Sequence, residues 1–433
     1  MAVNRVLNSP TPVEPFTWGV AASAYQIEGG RHEGGKGESI WDRFSDQGRL
    51  RDVGDLACDH YHRWEEDLDL IAALGVDAYR FSVAWTRILP DGDGPISREG
   101  IEFYRRLVEG MIDRGIAPYL TLYHWDLPQA LQLGGGWANR DTIDAFTSYA
   151  SILATEMGDL VSGWITHNEP WVSAFLGHLE GVFAPGLTDW NTALTAAHNM
   201  LVSHGRAVMA IRSELPGARV GIALDCRPCR PATPETTEAT RHFDGFRNRW
   251  FFDPVFGKGY PSDTVRSYES LGRLPGGIES LVQHGDMEDI AAPIDFLGIN
   301  YYTTIAVKAG WEEVDEPEGP MGADAPDEFT EMGWLIDEKG LTQFLKRVNE
   351  EYSPPSILVT ENGASYSDGP GHDGTIGDQR RIEYLEKHIA AIFEARAAGV
   401  PVDGYFVWSI LDNLEWVSGF SQRFGLVWVD HQT

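Results

Sequence analysis

The amino-acid sequence predicts an α/β fold, a single (β/α)8 barrel, on three observations. Eight short apolar runs recur along the 433 residues. Amphipathic helical patterns separate most of them. No linker divides the chain, so residues 1–433 read as one catalytic-sized domain, and the length suits one barrel with insertions. Strands alternating with helices build a parallel sheet, and eight units suffice to close it.

In order, the strand-like runs are Phe16–Ala24, Ala78–Val83, Pro118–Tyr123, Gly163–Asn168, Arg219–Leu224, Phe296–Tyr301, Ser356–Thr360 and Gly404–Trp408. A parallel strand buried on both faces reads as a nearly continuous hydrophobic run. Between them, Trp64, Leu68, Ile71 and Leu74 keep i, i+4, i+7 spacing, with Glu65, Glu66, Asp67 and Asp69 opposite, the signature of a half-buried helix. Ile382, Leu385, Ile389 and Ile392 repeat the pattern. Loops at the carboxyl ends of the strands are expected to be elaborated. The Glu-, Pro-, Gly- and Asp-rich stretch 307–333 reads as a long surface excursion after strand six. After strand eight comes an aromatic loop, Asn413–Trp428, with no helical pattern behind it. Either the sequence stops short of an eighth helix, or the barrel closes with seven and leaves apolar surface bare beside strands one and eight.

Composition excludes several classes. An apolar share of 42% is enough for a large core. The net charge of −31 argues against a nucleic acid or an anionic membrane as partner. No apolar run approaches the roughly 20 residues that cross a bilayer, and the start carries no signal-type apolar stretch. Three cysteines, Cys58, Cys226 and Cys229, make no disulfide framework, so a cytoplasmic location is expected. The 15 tryptophans fit either core packing or stacking on sugar rings, and composition alone does not choose.

Two of the apolar runs end in a lone glutamate followed by a turn: Ile165-Thr166-His167-Asn168-Glu169-Pro170 and Leu358-Val359-Thr360-Glu361-Asn362-Gly363. Barrel enzymes carry their catalytic groups where strands end. Taken singly, either glutamate reads as an exposed loop carboxylate. Two delivered from different strands are what glycosidic bond cleavage needs, one ionised and one holding a proton. An ionised nucleophile requires hydrogen-bond donors and a positive charge nearby, which Arg80, read as ending strand two, and Tyr302, read as ending strand six, are placed to supply.

The motifs FTWGVAASAYQIEG, DHYHRWEEDL, YRFSVAWTRI, LYHWDLP, THNEPW, FLGINYYT, VTENGA, WSILDNLEW and RFGLVWVD occur in this order from about Phe16 to Asp430. On them the chain resembles the family 1 glycoside hydrolases, the β-glucosidase group, whose fold is the TIM barrel. The resemblance implies a retaining exo-β-glycosidase with Glu361 as nucleophile and Glu169 as general acid/base, supported by Arg80 and Tyr302. It carries over Gln26, read as ending strand one, His124, read as ending strand three, Asn168 before the acid and Glu415 beyond strand eight as contacts to the sugar, Trp125, Trp408 and Trp416 as walls, and Asn300, Trp334 and Phe424 nearby. It places a non-proline cis peptide at Trp408-Ser409. No metal or organic cofactor is implied, and the expected partner is a small β-glycoside or oligosaccharide. Relatives that cut 6-phosphorylated sugars carry a Ser and basic residues where this chain has Asn413-Leu414-Glu415-Trp416, so unphosphorylated β-D-glucosides are expected, with β-galactosides and β-fucosides as further candidates. Glu169 is Glu rather than Gln, unlike the plant thioglucosidases. Transfer to an acceptor sugar in place of water stays open, as does a barrel that binds sugar without turnover.

Three other signals carry less. Gly30–Gly37 nearly spells a phosphate loop, but Gly37 stands where Ser or Thr would hold magnesium. His60 and His62 form an HxH pair at a helix start, where i and i+2 face apart, so no metal site is expected. Cys226-Arg227-Pro228-Cys229 lacks the strand-to-helix context of a redox motif and is placed to line the mouth of the site.

Overall fold

The computed structural model of the protein describes residues 15–310 and 328–431. Eight parallel strands close into a barrel in chain order. They are β1 (Thr17–Ala21), β2 (Ala78–Ser82), β3 (Ala117–Tyr123), β4 (Gly163–Asn168), β5 (Val220–Cys226), β6 (Phe296–Tyr301), β7 (Ile357–Asn362) and β8 (Val402–Trp408). β8 pairs back onto β1, from Thr17 opposite Gly404 to Ala21 opposite Trp408. The predicted strand runs all appear, with shifted ends.

The barrel interior is packed, not hollow. Tyr119, Ile165, Ala223, Phe296, Leu358 and Phe406 belong to one buried cluster inside it. Its largest rings fit because neighbouring strands present glycine. A Cβ on Gly19 would lie 2.3 Å from the Phe406 ring, and one on Gly163 2.6 Å from the Tyr119 ring.

The longest helices are α1 (His60–Leu74), α2 (Arg98–Asp113), α3 (Asp141–Met157), α4 (Trp190–Glu214), α5 (Glu338–Tyr352) and α6 (Gln379–Ala397). In α2 the Ser97 hydroxyl accepts from the Gly100 amide and caps the start. One stripe of this helix, Ile101, Tyr104, Leu107, Val108 and Met111, is buried against the barrel, each aliphatic member contributing about 1.5–3 kcal/mol. The predicted stripe of α1 holds for Leu68 and Ile71, but Leu74 at its end is 45% exposed. Ile382 at the start of α6 is likewise 48% exposed. A helix end overhangs the barrel, so periodicity overstates burial there.

Three expectations need correction. β1 ends at Ala21 rather than Ala24, and Ala24–Ile27 turns into a short helix. The Ser82 hydroxyl takes the Ala24 amide at 2.7 Å, which removes that donor from the strand ladder. Gln26 therefore stands on this helical turn, not on a strand end. Second, a two-stranded parallel annex, Cys229–Pro231 beside Ile305–Val307, was not foreseen, because three-residue strands carry no pattern. Third, Arg80 lies in the middle of β2, facing the interior. The expected excursion 307–333 begins inside the annex, and its residues 311–327 lie outside the described part.

Beyond β8 the described residues form only a short 3-10 segment, Trp416–Ser421, and an isolated bridge from Leu411 to Val427. The flank beside strands one and eight is not entirely bare. Phe393 of α6 rests 5.2 Å from Phe16 and 6.0 Å from Trp18 between ring centres, and Trp18 and Val407 are half-buried. Among the described residues no helix is long and apolar enough to cross a membrane.

Candidate active site

The carboxyl ends of the strands bring the predicted residues together. Glu361 is the fifth residue of β7. Glu169 follows β4 directly and is held at φ 49°, with Trp125 at φ 81° and Trp416 at φ 45°. This left-handed backbone is disfavoured for any residue with a side chain and persists where the surroundings over-determine it. At Glu169 those surroundings are its own amide, which donates to the Ala223 carbonyl at 2.9 Å, and Asn300, whose side chain grips the carboxylate.

The two carboxyls have different neighbours. Arg80 Nη1 donates to Glu361 Oε1 at 2.5 Å, and the Tyr302 hydroxyl donates to Oε2 at 2.7 Å. Arg80 is fixed in turn by Asn168 Oδ1 at 2.5 Å, the Thr360 carbonyl at 3.1 Å and Thr121 Oγ1 at 3.2 Å. Glu169 Oε1 accepts only from the neutral amide of Asn300, at 2.7 Å. The same amide nitrogen donates to Asn168 Oδ1 at 2.9 Å, and Thr360 holds the Asn300 carbonyl oxygen at 2.7 Å. Asn168 also meets His124 Nε2 at 3.1 Å. One polar network thus ties β2, β4, β6 and β7 beneath the site, and a satisfied buried network of this kind rigidifies what it holds.

The electrostatics follow from the neighbours. Burial pushes the Glu169 carboxyl well above the usual range, and the charges of Asp225 and Glu361 push it further; Asn300 and Arg227 only partly oppose them. Burial also leaves Glu361 raised on balance, but the Arg80 guanidinium and the Tyr302 hydroxyl oppose it more strongly than any group opposes the rise of Glu169, which ends well above its usual range. The pair is therefore split, with Glu169 the carboxyl that keeps a proton. Glu415 is pushed up to about 8 by burial and by the charge on Glu361. Burial, helped by Arg80, drives His124 well below its usual value, so its ring is neutral.

A cavity of about 390 Å³ opens above this floor, within the size range of small-ligand sites. Glu169, Glu361, His124, Tyr302 and Glu415 bring polar atoms to it, and Trp125, Trp334, Trp408, Trp416 and Phe424 form much of the wall. The His124 ring lies near-parallel to those of Trp408 and Trp416, at 5.7 and 6.0 Å between centres. The Trp408-Ser409 peptide is cis, as expected. Gln26 and Asn168, expected as sugar contacts, and Asn300, expected nearby, are fully buried and are not among the residues lining the cavity. Gln26 is bound to Ser23, Asn413 and the Leu414 carbonyl, beneath Glu415.

The wall also contains residues that the sequence did not single out: Val172, Leu176, Phe183 and Glu180 from the segment after β4, and Arg227 and Arg247. Arg227 sits inside the Cys226–Cys229 segment, which drew notice only for its thiols. Those thiols are free and do not line the cavity; Cys226 donates back to Leu224 and Cys229 to Thr240. The HxH pair diverges as expected, His60 binding Asp67 and His62 binding Asp59 and Glu33. Among the described residues no cluster of three or more His, Cys, Asp or Glu side chains has a metal-holding arrangement.

Comparison with known proteins agrees with the barrel fold. The model of glycosyl hydrolase family 1 matches residues 10–433. β-Glucosidase A of Thermotoga maritima is 44% identical over 97% of this chain and 93% of its own length. A bifunctional β-D-glucosidase/β-D-fucosidase of Bifidobacterium breve is 41% identical over 96% and 94%. Among solved structures, the Thermotoga maritima family 1 β-glucosidase in complex with isofagomine lactam superposes with a TM-score of 0.91 at 45% identity, covering 98% of this chain and 94% of that one. On the family match across residues 10–433 and these relatives, the chain belongs to glycosyl hydrolase family 1.

Proposed function

We propose that this protein is a retaining exo-β-glycosidase that hydrolyses unphosphorylated β-D-glucosides by double displacement, working as one cytoplasmic catalytic domain. The observation that carries the reading is the unequal setting of its two buried carboxyls. Glu361 has a guanidinium and a phenol as donors, whereas Glu169 has one neutral amide and two anionic neighbours that Arg227 only partly opposes.

In the first step a Glu361 oxygen attacks the anomeric carbon while Glu169 gives its proton to the leaving oxygen. The product is a glycosyl ester on Glu361. That ester carries no charge, so Glu169 loses one of the anions that kept it protonated and acts as base toward water. Water then attacks the same carbon, takes the sugar off Glu361, and returns the first configuration. His124, Glu415 and the tryptophan walls hold the sugar, and Asn168, Asn300 and Gln26 set these groups from behind. The names of the relatives support a β-glucoside, and the Bifidobacterium breve enzyme supports β-fucosides as a second substrate.

The test is trapping with 2,4-dinitrophenyl 2-deoxy-2-fluoro-β-D-glucoside, whose fluorine slows release of the ester. The reading requires time-dependent inactivation and a sugar adduct on the peptide containing Glu361. An adduct on another residue would overturn the assignment.

A further inference from the structure

We propose that Asp225 is a positioning residue for this reaction, a fixed negative charge that favours the protonated form of Glu169 equally in both halves of the cycle and leaves the switch to base to the loss of charge on Glu361. The inference rests on the reading of Glu169 as acid and base.

Asp225 is on β5 and is 4% exposed. Side chains two apart on a strand share a face. Ala223 belongs to the barrel interior, so Asp225 faces the same way, one step nearer the site. The Ala223 carbonyl anchors the amide of Glu169, and Asp225 stands opposite Asn300 in the register with β6, whose amide grips Glu169 Oε1. Asp225 is thus adjacent to both supports of the acid.

Its own charge is clamped. Arg247 Nη2 lies 2.7 Å from Oδ2, and Arg227 Nη1 lies 3.7 Å from Oδ1. Each arginine packs on an indole, Arg247 at 3.2 Å over Trp171 and Arg227 at 5.1 Å over Trp334. Both reach the cavity wall. Around Glu169, β7 presents Glu361, β6 and its end present Asn300 and Tyr302, and β5 and its end present Asp225, Cys226 and Arg227. β2 contributes Arg80, His124 follows β3 directly, and Glu180, Arg247 and Glu415 stand on the surrounding wall. After burial, Asp225 and Glu361 favour the protonated acid and Arg227 disfavours it.

The two anions differ in what the reaction does to them. Glu361 loses its charge on forming the ester, whereas Asp225 touches no substrate and keeps its field through both halves of the cycle. Asp225 therefore raises Glu169 by the same amount in both halves, and the swing between acid and base is left to the charge on Glu361.

The test is the pH dependence of kcat/KM for an aryl β-glucoside in wild type, Asp225→Asn and Arg227→Met. Removing the anion is expected to move the alkaline limb to lower pH by about one unit. Removing the Arg227 cation is expected to move it to higher pH, and Asp225→Glu to restore the wild-type position. A merely structural role lowers the curve without moving the limb, and that result, or two shifts in the same direction, overturns the proposal. If Asp225→Asn does not fold, the Arg227→Met and Asp225→Glu curves still decide. Glu169→Gln, assayed on a dinitrophenyl glucoside that leaves without protonation, separates the premise from the inference. An alkaline limb that persists in Glu169→Gln refutes the acid assignment itself, and Asp225 with it. A limb that vanishes there but ignores Asp225 and Arg227 refutes only the role of Asp225.

Discussion

Replacing Tyr302 by Phe isolates one of the two interactions that hold Glu361 ionised. The hydroxyl donates to Oε2 at 2.7 Å inside a site where both residues are buried. Phe keeps the ring, and with it the contacts to Trp334 at 5.1 Å and Phe424 at 6.1 Å, so cavity shape is preserved. A hydrogen bond to a charged group contributes about 1.5–3 kcal/mol. At about 1.4 kcal/mol per pKa unit, its loss raises Glu361 by about one to two units. The sign is fixed, since the phenol stabilises only the ionised carboxylate. The acid limb of kcat/KM for an aryl glucoside should therefore move to higher pH by that amount, and below the new limb the variant should be about 10- to 100-fold slower. Arg80 still holds Oε1 at 2.5 Å, so activity at alkaline pH should survive. A uniform loss at every pH, with the acid limb unmoved, would refute the reasoning and give Tyr302 a role on the substrate instead.

Three further perturbations test the scaffold. Asp126 is buried with no side-chain partner for its carboxyl among the described residues, and burial pushes it up to about 8, against a weaker pull from its own backbone amide. Between its ordinary value and 8 the unfolded chain releases this proton and the folded one keeps it, so the residue costs stability as pH rises, at up to about 1.4 kcal/mol per unit. Asp126→Asn should then gain on wild type in thermal unfolding at pH 8 more than at pH 5; an equal difference at both would count against the buried, protonated acid. Arg87→Met removes the guanidinium that meets Glu28 at 2.7 Å in a fully buried pair. Stranding Glu28 should cost about 3–5 kcal/mol in chemical denaturation, and a cost below about 1 kcal/mol, the value of a surface pair, would contradict it. Gly363→Ala would set a Cβ 1.8 Å from the Trp408 carbonyl, shifting the chain beside Glu361. Activity should fall sharply even where the variant folds, and an unaffected kcat/KM would show that β7 and β8 yield there.

The sequence revealed what a single segment encodes. Glu361 and Glu169 stood out because each ends an apolar run, and the barrel followed from how often such runs recur. Tyr302, His124 and Glu415 were legible from motifs that also fix their place at strand ends. What escaped notice depends on pairings between segments. The Asp225–Arg247 ion pair joins β5 to the helical turn Gly245–Arg249, and neither residue announces the other in one dimension. Gln26 was placed on a strand because Ala22-Ser23-Ala24 reads as strand or helix alike; a hydroxyl on β2 decides it. The annex strands are too short to show alternation, and each is stabilised by the other rather than by its own composition.

Stereochemistry tests the central claim most directly. Proton NMR of an aryl β-D-glucoside, recorded before mutarotation intervenes, shows which glucose anomer is released first. The account predicts β-glucose, since two displacements at one carbon restore its configuration. Early α-glucose would contradict it, because a single inversion leaves no place for an ester on Glu361.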